Sequence, residues 1–178
     1  KAIIQLCAWI QSIKDSDDPI IEVGINNGGS TRAFLDVVSS FDKNNWVISI
    51  DPFGSIEYHN GCSLIGASVY SNKRYRDSME MLYKHANDHD LNFVSFKMTS
   101  ESFIECFNYI KIYDQRVINL DKFSFVFLDG SHDPEIVAKE LCFFSNHLST
   151  SGVIVVDDWQ SELYTENYGY KSGISNTI

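Results

Sequence analysis

FVFLDGSHDPEIVAKEL (residues 125–141) opens with apolar residues at every position, then turns to Asp129, Gly130, Ser131 and His132. Side chains alternate across a strand, so an uninterrupted apolar run predicts a strand buried on both faces. The acid and glycine that end it do not belong to such a core. Pro134, suited to a first helical turn, then begins a segment with helical spacing. A strand buried on both sides that passes through a loop into a helix is one unit of a parallel sheet covered by helices.

The same unit recurs along the chain. PIIEVG (19–24) leads into STRAFLDVVSSF (30–41), where Ala33, Phe34, Val37, Val38 and Phe41 share one helical face. WVISID (46–51) reads as the second strand. FGSIEYHNGCSLIGASVYSNK (53–73) carries three glycines and no period, which predicts a long loop. Tyr75, Met79, Leu82 and Tyr83 mark the next helix, expected to fray in HANDHD (85–90). NFVSFKM (92–98) is a third strand, and SESFIECFNYIKI (100–112) a helix that Ser100 can cap. FSFVFLD (123–129), a helix over 134–148 and GVIVVDDW (152–159) complete five strands, with a short amphipathic helix over 2–13 before them all. The expected fold is a doubly wound α/β domain with a mostly parallel sheet, spanning residues 1–178 as one domain.

Composition removes several classes of function. The net charge is −10, from 14 basic and 24 acidic residues, and the densest basic cluster is Lys73-Arg74-Tyr75-Arg76. Phosphate-backbone binding needs more clustered cations than that, so no nucleic-acid partner is expected. No apolar run approaches a membrane span and no signal peptide is visible, so no membrane partner is expected either. The chain starts at Lys1, which reads as a trimmed start. Cys7, Cys62, Cys106 and Cys142 are scattered without a C-x-x-C pair, which suits buried thiols in a reducing, cytoplasmic setting.

In open parallel sheets, ligands sit beyond the carboxyl ends of the strands, where strand order reverses. Those ends are Glu22-Val23-Gly24, Asp51, Met98-Thr99-Ser100, Asp129 and Asp157-Asp158, and four of the five carry an acid. EVGINNGGST (22–31) places glycines between a strand and a helix, where a turn is tight and a ligand can approach backbone N–H groups. It departs from G-x-G-x-x-G because Asn26 stands at the second glycine, which disfavours a dinucleotide pyrophosphate site. Asp51 ends the second strand, where a carboxylate can accept hydrogen bonds from ribose hydroxyls.

With these residues in place, the chain resembles the class I S-adenosylmethionine-dependent methyltransferases, which have a Rossmann-like sheet. IIEVGINNGGST is similar to their first motif and VISIDPFG to the strand end that holds ribose. Residues 125–159, with the D-G-x-H segment and the terminal Asp157-Asp158, resemble a narrower group of small-molecule and sugar O-methyltransferases of the macrocin and cephalosporin-cluster type. The resemblance covers residues 20–159. It implies S-adenosylmethionine as cofactor and a small hydroxylated molecule as acceptor, and a homo-oligomer is compatible with it. The cofactor cradle it implies is Glu22, Gly24, Asn26, Gly28 and Ser30, with Asp51 at the ribose, Ser100 and Glu101 at the adenine, and Asp129 near the reacting end.

Two routes to activating the acceptor hydroxyl stay open. Asp129, Asp157 and Asp158 match the acids that hold a divalent ion in metal-dependent members, and hard oxygen ligands suit magnesium. Adjacent residues in a strand point oppositely, so Asp157 and Asp158 converge only if the chain leaves the strand there. His132, three residues past Asp129, is the other candidate, a general base with an ordinary pKa near 6.5. Asp129 and His132 are therefore the catalytic candidates. His85 and His89 share helical spacing but read as a solvated helix end, and Tyr58, His59, Tyr164, Tyr168 and Tyr170 read as surface aromatics that can close over a substrate.

One departure is visible. Class I methyltransferases end with a helix and an antiparallel strand pair, and residues 159–178 show no strand pair. Either the chain continues or the domain is a reduced one. A non-catalytic cofactor-binding module on the same fold is the competing function.

Overall fold

The computed structural model describes residues 16–41, 44–54, 59–60, 63–64, 71–113, 117–118, 120–131 and 133–157. Its sheet has five strands, all parallel: β1 (Ile20–Val23), β2 (Val47–Ile50), β3 (Phe93–Phe96), β4 (Phe123–Leu128) and β5 (Leu148–Val156). They lie in the order β3-β2-β1-β4-β5, so strand order reverses between β1 and β4. Among the described residues four α-helices accompany them: α1 (Gly29–Ser40), α2 (Asn72–Asp88), α3 (Ser100–Cys106) and α4 (Pro134–Asn146).

Alternation along the strands divides the core into two apolar layers. Ile20, Val47, Phe125 and Phe127 meet Phe34, Leu35, Val38, Met79 and Leu82 of α1 and α2. Ile21, Ile48, Val126 and Leu128 meet Phe103, Phe107 and Phe144 on the opposite side. Each full burial of such a side chain contributes about 1.5–3 kcal/mol, which is why strands apolar on both faces were readable as interior. Phe34 packs its ring 5.4 Å from Phe125 and 5.9 Å from Phe127, locking α1 over β4. At the β3 edge, the Ser95 amide donates to the Tyr83 hydroxyl at 3.2 Å, giving a strand-edge donor a partner.

Several expectations change. The segment over 53–73 is not wholly loop: two-residue strands His59–Asn60 and Ser63–Leu64 pair antiparallel, and α2 begins at Asn72. Ser71 caps α2, accepting the Arg74 amide at 3.2 Å. Rather than fraying, α2 continues to Asp88, because its last turns pack on α1. His85 is buried there, with Nε2 2.8 Å from Asp36 Oδ1. Burial, then the nearby Arg32, lowers its pKa. Thr99, not Ser100, caps α3, accepting the Ser102 amide at 3.1 Å. After Cys106 the chain tightens into a 3-10 turn over Phe107–Tyr109, and Ile112–Tyr113 pairs antiparallel with Val117–Ile118. Strand β5 starts at Leu148, earlier than Gly152. The expected helix over 2–13, and the tail in which no strand pair was visible, lie outside the described residues. Among the described residues, no helix is long and apolar enough to cross a membrane.

Candidate functional site

Ladder hydrogen bonds run one residue past the strand ends and set out a rim. Asp51 N donates to Phe96 O, Gly24 N to Ile50 O, Asp129 N to Val23 O and Asp157 N to Leu128 O, at 3.1, 2.9, 2.8 and 2.9 Å. Asp51, Gly24, Asp129 and Asp157 therefore follow one another along the carboxyl edge of the sheet, with Gly24 and Asp129 at the reversal of strand order. A crevice at that point is where doubly wound sheets take ligands.

The loop between β1 and α1 is shaped by left-handed backbone. Gly24, Asn26 and Gly28 have φ of 95°, 51° and 75°. Asparagine is one of the few residues that tolerates this region, so Asn26 does the backbone work of the glycine it replaces. At Gly24 the limit is also space, since a Cβ would lie 2.1 Å from the Asp129 carbonyl oxygen. At Gly28 a Cβ would meet Leu82 and Met81 of α2, so this glycine lets α2 pack close against the loop. Gly29 alone of the loop glycines faces open space, with nothing within 4 Å of its Cβ position. That leaves the N-terminus of α1 approachable.

Asp51 ties this loop to β2. Its Oδ2 accepts the Ile25 and Asn26 amides at 2.8 and 3.2 Å, and its Oδ1 accepts the Phe53 amide at 2.7 Å. Helix α2 holds the loop from the other side. Arg74 donates to Asn26 Oδ1, and the Ser78 hydroxyl donates to Asn26 O at 3.4 Å. A cavity of about 600 Å³ lies between Asn27 and the first turns of α2, so the loop is braced yet reachable. Arg74 and Ser78 were not readable as site residues, because contacts across such sequence separations leave no local pattern.

Glu22 sits beneath the loop with its side chain fully buried. Its carboxylate accepts the Ser30 hydroxyl, the Thr31 hydroxyl at 2.5 Å and the Ser49 hydroxyl at 3.1 Å. Ser30 thereby joins the brace under the loop. Burial pushes the Glu22 pKa from 4.5 to about 7, against the pull of those hydroxyls. With the folded-state pKa above the unfolded one, stability from this group is full below pH 4.5 and is lost as pH rises through about 7. The loss is about 3 kcal/mol at 1.4 kcal/mol per unit. Glu22→Gln, which stays neutral, is expected to remove a large part of the fall in stability between pH 5 and 8 seen by urea unfolding. An unchanged slope in the variant would clear Glu22 as its source.

Ser100 is buried at the start of α3, and the Glu101 carboxylate pairs with Lys139 of α4 at 3.1 Å. Asp129 and Asp157 stand on neighbouring strand ends, Asp129 partly buried and Asp157 exposed. His132 and Asp158 lie outside the described residues. Among the described residues no group of three or more His, Cys, Asp or Glu side chains is arranged to hold a metal ion. Asp129 and Asp157 are the described residues that could face a magnesium ion, whose remaining ligands are commonly waters. Open Gly29 and the Asp51 carboxylate on the rim fit a cofactor with a backbone-approaching tail and a hydroxylated ring.

Comparison with known proteins adds a family and a fold. A family described as a methyltransferase domain matches residues 21–159, well over half of the chain. No curated protein matches the sequence. Among solved structures, the SAH-bound methyltransferase of Podospora anserina superposes with a TM-score of 0.51 at 15% identity, over 88% of this chain and 50% of that one. The Trypanosoma brucei PRMT1 enzyme-prozyme heterotetrameric complex with AdoHcy gives 0.44 at 13% identity, over 98% and 49%. The first likeness is one of fold, and the chain spans about half the length of either structure.

Proposed function

This chain belongs to the methyltransferase-domain family, and from that membership we propose that it moves the methyl group of S-adenosylmethionine to a hydroxyl of a small molecule, a sugar or natural product. The observation that carries the reading is the tie between Asp51 and the left-handed loop, made at the rim beside the reversal of strand order. In this reading residues 1–178 are one domain. Gly24, Asn26, Gly28 and Ser30 shape the cradle for the methionine part, with Glu22 under it and Gly29 open to it. Asp51 takes the ribose hydroxyls, Ser100 and Glu101 border the adenine, and Asp129 stands at the reacting end.

Once bound, the cofactor supplies an electrophilic methyl group. The chain's own contribution is positioning: a rigid rim holds the acceptor hydroxyl in line, which converts an encounter into an oriented contact. We assign proton removal to His132, three residues beyond Asp129. Assistance by magnesium at Asp129, Asp157 and Asp158 is the alternative.

Thermal-shift measurements with S-adenosylmethionine and S-adenosylhomocysteine test the reading, and both ligands are expected to raise Tm. Stabilisation by neither would sink it. Methyl transfer over a panel of hydroxylated acceptors, with and without a chelator, separates the two routes: activity that survives the chelator and is lost in His132→Ala supports the histidine. Binding without turnover over a broad panel identifies a cofactor-binding module instead.

A further inference from the structure

Helix α4 turns Val137, Glu140 and Phe144 to the interior, a spacing of three and four residues that forms one stripe. Two of these are apolar. Glu140 is not, although it is only 1% exposed, and neither of its carboxylate oxygens accepts a hydrogen bond from the described residues. The strand side chains of this layer, Val126 and Leu128 among them, are apolar. Ser100, the first residue of α3, stands against the carboxyl and is itself buried. Its hydroxyl is near enough to favour the ionised form but falls short of hydrogen-bond geometry, so burial prevails and pushes the Glu140 pKa to about 7. Across the interface Glu101 raises it further. Lys139, the neighbour of Glu140 on α4, is largely exposed and pairs with Glu101 instead.

An apolar side chain of similar volume would hold this position more firmly than an unpartnered carboxyl. A local rule broken in an otherwise regular stripe is a mark of positions kept for function. We propose that Glu140 is a positioning residue for the adenine end of the cofactor groove: neutral, it lets the first turn of α3 seat on α4, and ionised, it needs the water that enters only when that turn lifts from α4. The adenine part of this statement rests on the methyltransferase reading given above, whereas the seating of α3 on α4 does not. A carboxyl with a raised folded-state pKa holds the seat fully in acid and loses it as pH climbs through about 7.

Two measurements on the full chain test this. Calorimetric titration with S-adenosylhomocysteine is expected to show wild-type affinity falling about tenfold from pH 6 to pH 8, one unit of linked pKa. In Glu140→Gln, which mimics the neutral acid, affinity is expected to equal wild type at pH 6 and stay flat. Hydrogen exchange follows the Ser102 and Phe103 amides, which bond to Thr99 in the first turn of α3. Corrected for intrinsic rates, their protection is expected to fall about tenfold over the same range in wild type and to hold in Glu140→Gln. Protection lost in wild type alone supports the seat whether or not S-adenosylhomocysteine binds. Parallel pH profiles in the two proteins, in exchange and in binding, overturn the proposal and leave the cofactor reading standing.

Discussion

Gly24→Ala is expected to cost roughly 3–5 kcal/mol of stability, the sum of backbone strain and overpacking, and to remove cofactor binding with it. The new Cβ would lie 2.1 Å from the Asp129 carbonyl oxygen, 2.6 Å from its carbon and 2.9 Å from Gly130 Cα. All three are backbone atoms, so no rotamer change relieves the contact. Recoil is blocked as well, because β1 is paired on both sides and the ladder continues through Gly24 N to Ile50 O and Asp129 N to Val23 O. The φ of 95° adds strain for any residue with a Cβ. Gly28 provides a partial contrast: its φ of 75° strains a Cβ as well, but the Cβ would meet side-chain atoms of Leu82 and Met81 at 3.0 and 3.1 Å rather than backbone. Gly29→Ala provides the control, since open space and better helix propensity predict unchanged stability. Urea unfolding of the three variants gives the order directly. Gly24→Ala within about 1 kcal/mol of wild type, the ordinary effect of a substitution, would mean that the β1 and β4 loops do not approach as described.

That close approach also shows where sequence reading reaches its limit. The five strands were legible because apolar runs without a wet face have few other homes. Their ends were legible because acids at Asp51, Asp129 and Asp157 break those runs. The Glu140 position was within reach too: it falls three residues after Val137 and four before Phe144, on the interior stripe, but its charge reads as surface. Thr99 and Ser100 are adjacent hydroxyl residues, and local pattern does not choose which one caps α3. The burial of His85 depends on α1 packing against the end of α2, a contact between distant segments. Asn26 carried a readable signal, its tolerance of left-handed backbone, hidden by the search for a glycine. What joins Asp51 to residues 25 and 26 is tertiary, and no period in the chain encodes it.

Asp51 is accordingly the residue where two readings of one carboxylate meet, and its replacement is expected to reduce S-adenosylhomocysteine affinity about 10- to 100-fold, the worth of one hydrogen bond to a charged acceptor at about 1.5–3 kcal/mol. Asp51 is 4% exposed and its carboxylate already receives three amides; with about four acceptor sites on its two oxygens, one is left for a ribose hydroxyl, and a second such bond requires a loop amide to let go. Asp51→Ala removes both roles and leaves amides of Ile25, Asn26 and Phe53 without their acceptor, at about 1–3 kcal/mol for each that water does not reach. Asp51→Asn separates the roles. Its carbonyl oxygen can still receive the Ile25 and Asn26 amides, while its NH2 group replaces the acceptor of the Phe53 amide and weakens the face offered to ribose. Binding calorimetry and urea unfolding on both variants then discriminate. A tenfold or greater loss of affinity in Asp51→Asn, with stability lowered by no more than the about 1–3 kcal/mol of one unpaired amide, supports the ribose contact. Affinity untouched in a folded Asp51→Ala would remove Asp51 from the ligand and leave it the clasp that keeps the loop at the sheet edge.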